Sequence, residues 1–223
     1  MYTPQSFAER DLPTLFGFLD ASPLAILVSP SPSPDGLAAT HLPLILDRST
    51  GPMGTLFGHM ARANPQARAD ASTPIEALVI FTGPDAYISP EWYATKRETG
   101  RVVPTWNYVA VHAYGTLRFH QNPEFLRPHL ELLTRRHEAG RPDPWHVSDA
   151  PEEYVAQQMK AIVGLTVEIE RLEGKWKMSQ NRSDADIAGV ISGLNASTAE
   201  RDRAVAAVVA VVAERRAMRD PSS

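Results

Sequence analysis

The chain has 223 residues, 43% of them apolar, which is enough to bury one sizeable core and excludes wholesale disorder. It contains no cysteine, so disulfides, zinc–thiolate sites, iron–sulfur clusters and cysteine nucleophiles are excluded. A net charge of -4 argues against a protein that coats DNA. With no apolar run of membrane length and no hydrophobic leader, it reads as a soluble cytoplasmic protein.

Nineteen prolines against 13 glycines predict many strand ends and ordered turns. Ser6 to Leu19 carries Phe7, Leu12, Leu15, Phe16 and Leu19 at helical spacing, with Pro13 near its start. Leu24 to Ser29 is a short apolar strand. The run SPSPDG turns it, and Gly36 to Asp47 returns as a second strand with Pro43 at a bulge or an edge. Gly54 to Arg62 is a third strand, broken by Ala63-Asn64-Pro65, which opens a short helix. Ile75 to Thr82 is a strong strand. Gly83-Pro84-Asp85 is expected to turn it into a short extended piece, Ala86 to Ser89. Glu91 to Gly100 is a loop or short helix, and Thr105 to His120 alternates as a long strand. Helices follow at Pro123 to Ala139 and Glu152 to Lys160, then a strand at Ile162 to Leu172. Helical patterns at Asp184 to Asn195 and Ser197 to Arg219 end the chain. In the last of these, Val205, Val208, Val209 and Val212 line one face. Six or seven strands in hairpin-like succession predict a mainly β, α+β fold built on an antiparallel barrel. There is no GxGxxG or GxxxxGK loop, so Rossmann and P-loop readings fail.

Four clusters mix aromatic, amide and cationic groups: Thr40-His41-Leu42-Pro43, Gly58 to Pro65 (GHMARANP), Val103 to Tyr108 (VPTWNY) and Gly174 to Arg182 (GKWKMSQNR). Such a mixture suits a ligand with a flat ring and an anionic tail. Arginine supplies a fork for phosphate oxygens, aromatic faces stack, and amides read ring carbonyls and N–H groups. The bland readings stand beside it. GHMARANP is equally a strand end with a polar cap. A lone Trp106 or Trp176 belongs more often in a core, and KWKMSQNR more often on a solvated face. His41, His59 and His112 fall on three strands, but nothing fixes a metal geometry among them and no metal is expected. Ser29, Ser89 and Ser179 lack a GxSxG setting, no carboxylate pair is placed for glycoside hydrolysis, and no helix-turn-helix is present.

Taken in order, MYTPQSFAE, HLPLILD, GHMARANP, FTGPDAYISPEWY, VVPTWNYVAVHAYG, PWHVSDAP and AIVGLTVEIERLEGKWKMSQNR resemble the FMN-binding negative transcriptional regulator (PaiB-like) family. PTWNY and EGKWKMSQNR are the most specific pieces, and the resemblance runs from Met1 to about Leu194. It implies an FMN-binding split barrel, a Greek-key-like antiparallel barrel with peripheral and C-terminal helices, similar to pyridoxamine phosphate oxidases and flavin reductases. It further implies a homodimer with FMN in a groove at the subunit interface. Residues 1–194 would form that domain, and residues 195–223 a C-terminal helical tail.

The resemblance assigns roles by position. Arg62 and Asn64, with the backbone of Ala63, would meet the FMN phosphate. Thr40 and His41 would flank the ring or ribityl chain. Gly58 would permit close backbone approach, and His59 would follow at the ring edge. Trp106 and Asn107 would come from the other wall, and Lys175 and Trp176 from the substrate face. Pro65 stands where oxidase relatives carry a phosphate-binding lysine. The function so implied is that of a flavin-binding regulator. The alternative is a flavin-dependent oxidoreductase, or a haem-degrading relative, using the same groove. Direct DNA binding and membrane association are not expected, given the charge and the absence of a recognition helix.

Overall fold

The computed structural model describes residues 1–30, 36–68 and 73–219. In chain order the elements are β1 (Ala8–Glu9), α1 (Leu12–Ala21), β2 (Leu24–Pro30), β3 (Leu37–Pro43), β4 (Ile45–Asp47), β5 (Thr55–Ala61), β6 (Ile75–Ile88) and α2 (Ala94–Thr99). They continue with β7 (Thr105–His120), α3 (Pro123–Glu138), α4 (Glu152–Lys160), β8 (Ile162–Lys177), α5 (Asp184–Asn195) and α6 (Glu200–Arg219). The strands form one sheet in the order β3-β2-β6-β7-β8-β5-β4, with β1 on β8. The pairs β1/β8, β2/β3, β2/β6, β4/β5 and β5/β8 run antiparallel. The fold is therefore α+β around an antiparallel sheet, as the alternating strands predict. No helix among the described residues is long and apolar enough to cross a membrane.

Several boundaries differ from the sequence reading, each for a local reason. The first helix begins at Leu12 rather than Ser6, because the Asp11 carboxylate accepts from Thr14 N (2.9 Å) and Thr14 Oγ1 (2.7 Å) and caps it there. Upstream, Ala8 and Glu9 are strand and pair with Lys175 and Gly174. That pairing also carries β8 past Leu172 to Lys177. The strand expected over Gly36 to Asp47 breaks after Pro43, and Leu44 N donates to Pro23 O instead (2.8 Å). β3 is an outer strand, where a proline costs no ladder bond on its open side. Gly83-Pro84-Asp85 does not turn the chain and lies inside β6. Its pairing with β2 covers only Leu78 to Ile80, so the missing N–H of Pro84 removes no bond to β2. Ser31 to Asp35 of the expected SPSPDG turn lie outside the described residues.

The chain divides into two compact units. The first comprises Met1–Leu15, Thr82–Val111 and Glu173–Ser223. Its buried apolar residues include Ile88, Tyr93, Val109, Met178, Ile187, Val190, Leu194, Val205 and Val209. Asp186, buried on α5, accepts from Thr95 N (2.9 Å) and Thr95 Oγ1 (2.8 Å), so one carboxylate closes the first turn of α2. Its own N–H donates to Ser183 Oγ, the cap of α5 (3.2 Å). Asp186→Ala leaves the Thr95 N–H without its acceptor and is expected to cost about 2 kcal/mol in urea unfolding. Asp186→Asn, which keeps one oxygen, should recover most of that loss. An alanine variant as stable as wild type would show that the carboxylate bonds contribute nothing.

The second unit comprises Phe16–Phe81 and His112–Leu172. Its core includes Leu27, Val79, Phe81, Leu117, Leu126, Leu165, Val167 and Ile169. Alternate residues of β8 from Val163 to Ile169 are buried, the period-two pattern of a strand with one face inward. The Cβ that Gly164 lacks would lie 2.4 Å from the Phe125 ring, so glycine there lets α3 sit close on the strand.

Candidate functional site

In the second unit, β5 delivers Arg62 to a turn and to the end of α4. Arg62 Nε donates to Lys160 O (2.9 Å), Nη2 to Ile162 O (2.9 Å) and Nη1 to Gln121 Oε1 (3.1 Å), while its backbone N donates to Ala161 O (2.8 Å). Two of the five guanidinium N–H groups remain beyond these three bonds. All its acceptors are neutral, and among the described residues no carboxylate forms an ion pair with it. The side chain is thus held in place with its charge unneutralised. Ala63 beside it is exposed.

Asn64 and Thr40 do come together. Asn64 Nδ2 donates to Thr40 Oγ1 (2.8 Å), and Thr40 Oγ1 donates to Gln66 Oε1 (2.5 Å). Asn64 Oδ1 accepts from Gln66 N (2.9 Å). Gln66 is 1% exposed, and its amide donates to Ser29 Oγ at 2.8 Å. The turn is therefore locked to β2 and β3 by a buried glutamine that the sequence reading did not single out. His41, next along β3, is exposed. Gly58 has a packing reason to be glycine: its missing Cβ would lie 2.6 Å from Leu44 Cδ2 and 3.2 Å from Leu42 Cδ1.

His59 meets a residue absent from the sequence candidates. Its Nδ1 lies 3.0 Å from Nε2 of His129 on α3, so the two rings share one hydrogen bond. His129 is 4% exposed, and its Nδ1 is buried without a hydrogen-bond partner among the described residues. Burial, reinforced by His59, pushes the His129 pKa down to about 4, and burial lowers that of His59 as well. Both rings are therefore neutral near pH 7. Phe125 stacks 4.2 Å from His120, whose Nε2 lies 2.9 Å from Thr166 Oγ1. No group of three or more His, Asp or Glu among the described residues is placed to hold a metal ion.

In the first unit, β7 and the end of β8 carry the remaining candidates. Trp106 is 48% exposed rather than core, and its ring meets Tyr87 edge-on at 6.1 Å. Asn107 is fully buried; its Nδ2 donates to Ser179 Oγ (3.0 Å), and its Oδ1 accepts from the same hydroxyl (3.2 Å). Ser179 holds a positive φ of 63°, a conformation that side chains other than glycine seldom adopt. Lys175 is buried rather than solvated. It donates to Tyr2 O (3.1 Å), and its ammonium lies 5.1 Å from the Tyr108 ring centroid. Trp176 lines a cavity of about 330 Å³ together with Gln180 and Arg216.

Two further cations join this set. Lys177 Nζ donates to Thr105 Oγ1 (2.6 Å), and its pKa is lowered by burial and by the charges of Lys175 and Arg182. The Arg182 guanidinium lies 4.7 Å from the Tyr93 ring centroid. Burial raises the pKa of the Tyr93 hydroxyl against the pull of Arg182. Among the described residues, no carboxylate forms an ion pair with Lys175, Lys177 or Arg182. Lys175 and Arg182 lie over aromatic faces, Lys177 is held by Thr105, and a local charge of this kind without counter-charge favours an anion.

Residues 1–171 match the family described as "Putative FMN-binding domain". An uncharacterized protein of Aspergillus fumigatus is 39% identical over 235 aligned residues, covering 86% of this chain and 90% of its own. Protease synthase and sporulation protein PAI 2 of Bacillus subtilis is 31% identical over 194 residues, covering 87% and 89%. Among solved structures, a FAD and heme binding protein from Mycobacterium smegmatis superposes with a TM-score of 0.55 at 20% identity, covering 81% of this chain and 78% of that one. That likeness shows the fold, a split barrel. The chain belongs to the "Putative FMN-binding domain" family, of which the Bacillus PaiB protein is a homologue.

Proposed function

We propose that the chain binds FMN noncovalently as a homodimer, with both copies contributing to the cofactor's surroundings, and serves a regulatory role of the PaiB-like kind. The observation that carries this reading is the set of cations held without carboxylate partners. Arg62 in the second unit, and Lys175, Lys177 and Arg182 in the first, each suit an anionic group of the cofactor, the dianionic phosphate above all. Arg62 and the Ala63 backbone are proposed for the phosphate, with Asn64 and Thr40 fixing their turn. His41, Gly58 and His59 are proposed for the cofactor's flank, and Trp106, Asn107, Lys175 and Trp176 for the ring and the substrate face. When bound, FMN supplies reversible redox chemistry; the residues bind and orient it. Residues 195–223 are proposed as a C-terminal helical tail to the FMN-binding domain. A cytoplasmic location fits the same reading.

Arg62→Ala should weaken FMN by roughly tenfold to a hundredfold, the equivalent of one charge-assisted bond of about 1.5–3 kcal/mol. Riboflavin, which lacks the phosphate, should bind wild type and variant alike. Titration of the apoprotein with both ligands checks this. Equal FMN affinity in the two proteins would remove Arg62 from the phosphate site. Anaerobic NADPH added to the flavin-loaded protein tests the role: a regulator keeps its flavin absorbance, whereas rapid bleaching marks an oxidoreductase. With a net charge of -4, no salt-sensitive, sequence-specific DNA band shift is expected.

A further inference from the structure

His59 also lines a cavity of about 260 Å³ that lies wholly within the second unit. Its walls are apolar: Leu130, Val147, Val155, Met159 and Ile162. Trp145 and Tyr154, 48% and 55% exposed, also line it. The other polar side chains of the lining are Thr134 and Gln158, and no Asp, Glu, Lys or Arg contributes to it. The volume is below the roughly 300–1,000 Å³ of sites for drug-sized molecules. It suits a body of one or two rings.

We infer that this cavity is a binding site for a small, uncharged aromatic molecule carrying one hydrogen-bonding heteroatom, and that His59 is the residue that recognises that atom. Nδ1 of His59 is taken by His129, 3.0 Å away, which leaves Nε2 as the nitrogen for a ligand. The shared hydrogen bond couples the two rings: where His59 Nδ1 donates, its Nε2 accepts, and where Nδ1 accepts, Nε2 donates. A charged ligand is disfavoured, because the lining holds no counter-ion and desolvating the charge would go uncompensated. The His129 ring acts as a positioning residue: buried beside His59, with Nδ1 unpartnered, it holds the first imidazole in place and does not line this cavity. Because His59 is also proposed at the cofactor's flank, the titration is made on the flavin-free protein, and failure of FMN to bind would leave the inference standing.

The probe is 2-naphthol, whose hydroxyl both donates and accepts and so meets either tautomer. Calorimetric titration of the full chain should show one saturable site. The charged analogue 2-naphthoate should bind at least about tenfold more weakly. His59→Leu should lose about fivefold to tenfold in 2-naphthol affinity, the size of one neutral hydrogen bond. Ala150→Phe, which adds a ring at the cavity lining, should abolish the heat while leaving the thermal midpoint near wild type. Should His59→Leu fail to fold, the Ala150→Phe variant decides. No saturable heat with wild type, naphthoate bound as tightly as naphthol, or a folded Ala150→Phe protein that binds like wild type would each overturn the assignment.

Discussion

Gly115→Ala is expected to cost about 3 kcal/mol or more in urea unfolding, the upper end of what forced overpacking costs. Gly115 sits on β7, next to β8 in the sheet. A Cβ there would stand 1.9 Å from Glu168 O, 2.9 Å from Glu168 C and 3.1 Å from Ile169 Cα. The obstacle is backbone, which no rotamer change can move aside. The two strands would have to separate locally or lose pairing. Gly140→Ala is the matched control, since its Cβ would meet nothing within 4 Å. Equal stability of the two variants would show that the β7–β8 approach is looser than described.

Acid should destabilise the chain through His129. Its folded pKa of about 4 lies below the ordinary value of 6.5, with burial as the leading cause. The unfolded state therefore takes up the proton first, and stability falls as the pH drops from about 6.5 to about 4. Above that window the neutral ring incurs no such penalty, and below it the penalty is constant. At 1.36 kcal/mol per pH unit, the gap corresponds to roughly 3 kcal/mol. His59, lowered in the same direction, adds to the effect. Urea unfolding of wild type and His129→Leu at pH 7.5 and 4.5 isolates the contribution, because carboxylates titrate alike in both proteins. The wild type should lose more stability between the two pH values than the variant. Parallel losses would mean that His129 titrates normally.

Much of the fold was legible because alternation is a local signal. Thr105 to His120 and Glu152 to Lys160 match their predicted bounds, and residues on one face of β7, such as Val111, Ala113, Leu117 and Phe119, are buried as their period of two requires. What alternation cannot show is a partner. Nothing local marks β8 as running on to Lys177; the pairing of Ala8 and Glu9 does that. For the same reason Lys175, in a run that reads as a solvated face, is buried.

The candidate site was legible by residue type and less so by partner. Arg62 stood out as a cation at a strand end, but two of its three side-chain acceptors are the backbone carbonyls of Lys160 and Ile162. Carbonyls carry no residue-type signature, and these lie about a hundred positions away in sequence. His129 was hidden by its helix, where it falls among the apolar positions Phe125, Leu126, Leu130 and Leu133 and reads as an interruption. Gln66 follows a turn proline and looks like an ordinary loop residue until its burial is seen. The nearest sequence signal for both is a polar residue at a position that the apolar period would bury.

The most direct test of the flavin assignment is equilibrium titration of the apoprotein with FMN, read by visible absorbance, with light scattering on the same sample. The expected result is saturable binding of one FMN per chain by a dimer, with riboflavin bound more weakly. A protein that takes up no FMN, or a monomer that binds it fully, would contradict an interface cofactor site held by unneutralised cations.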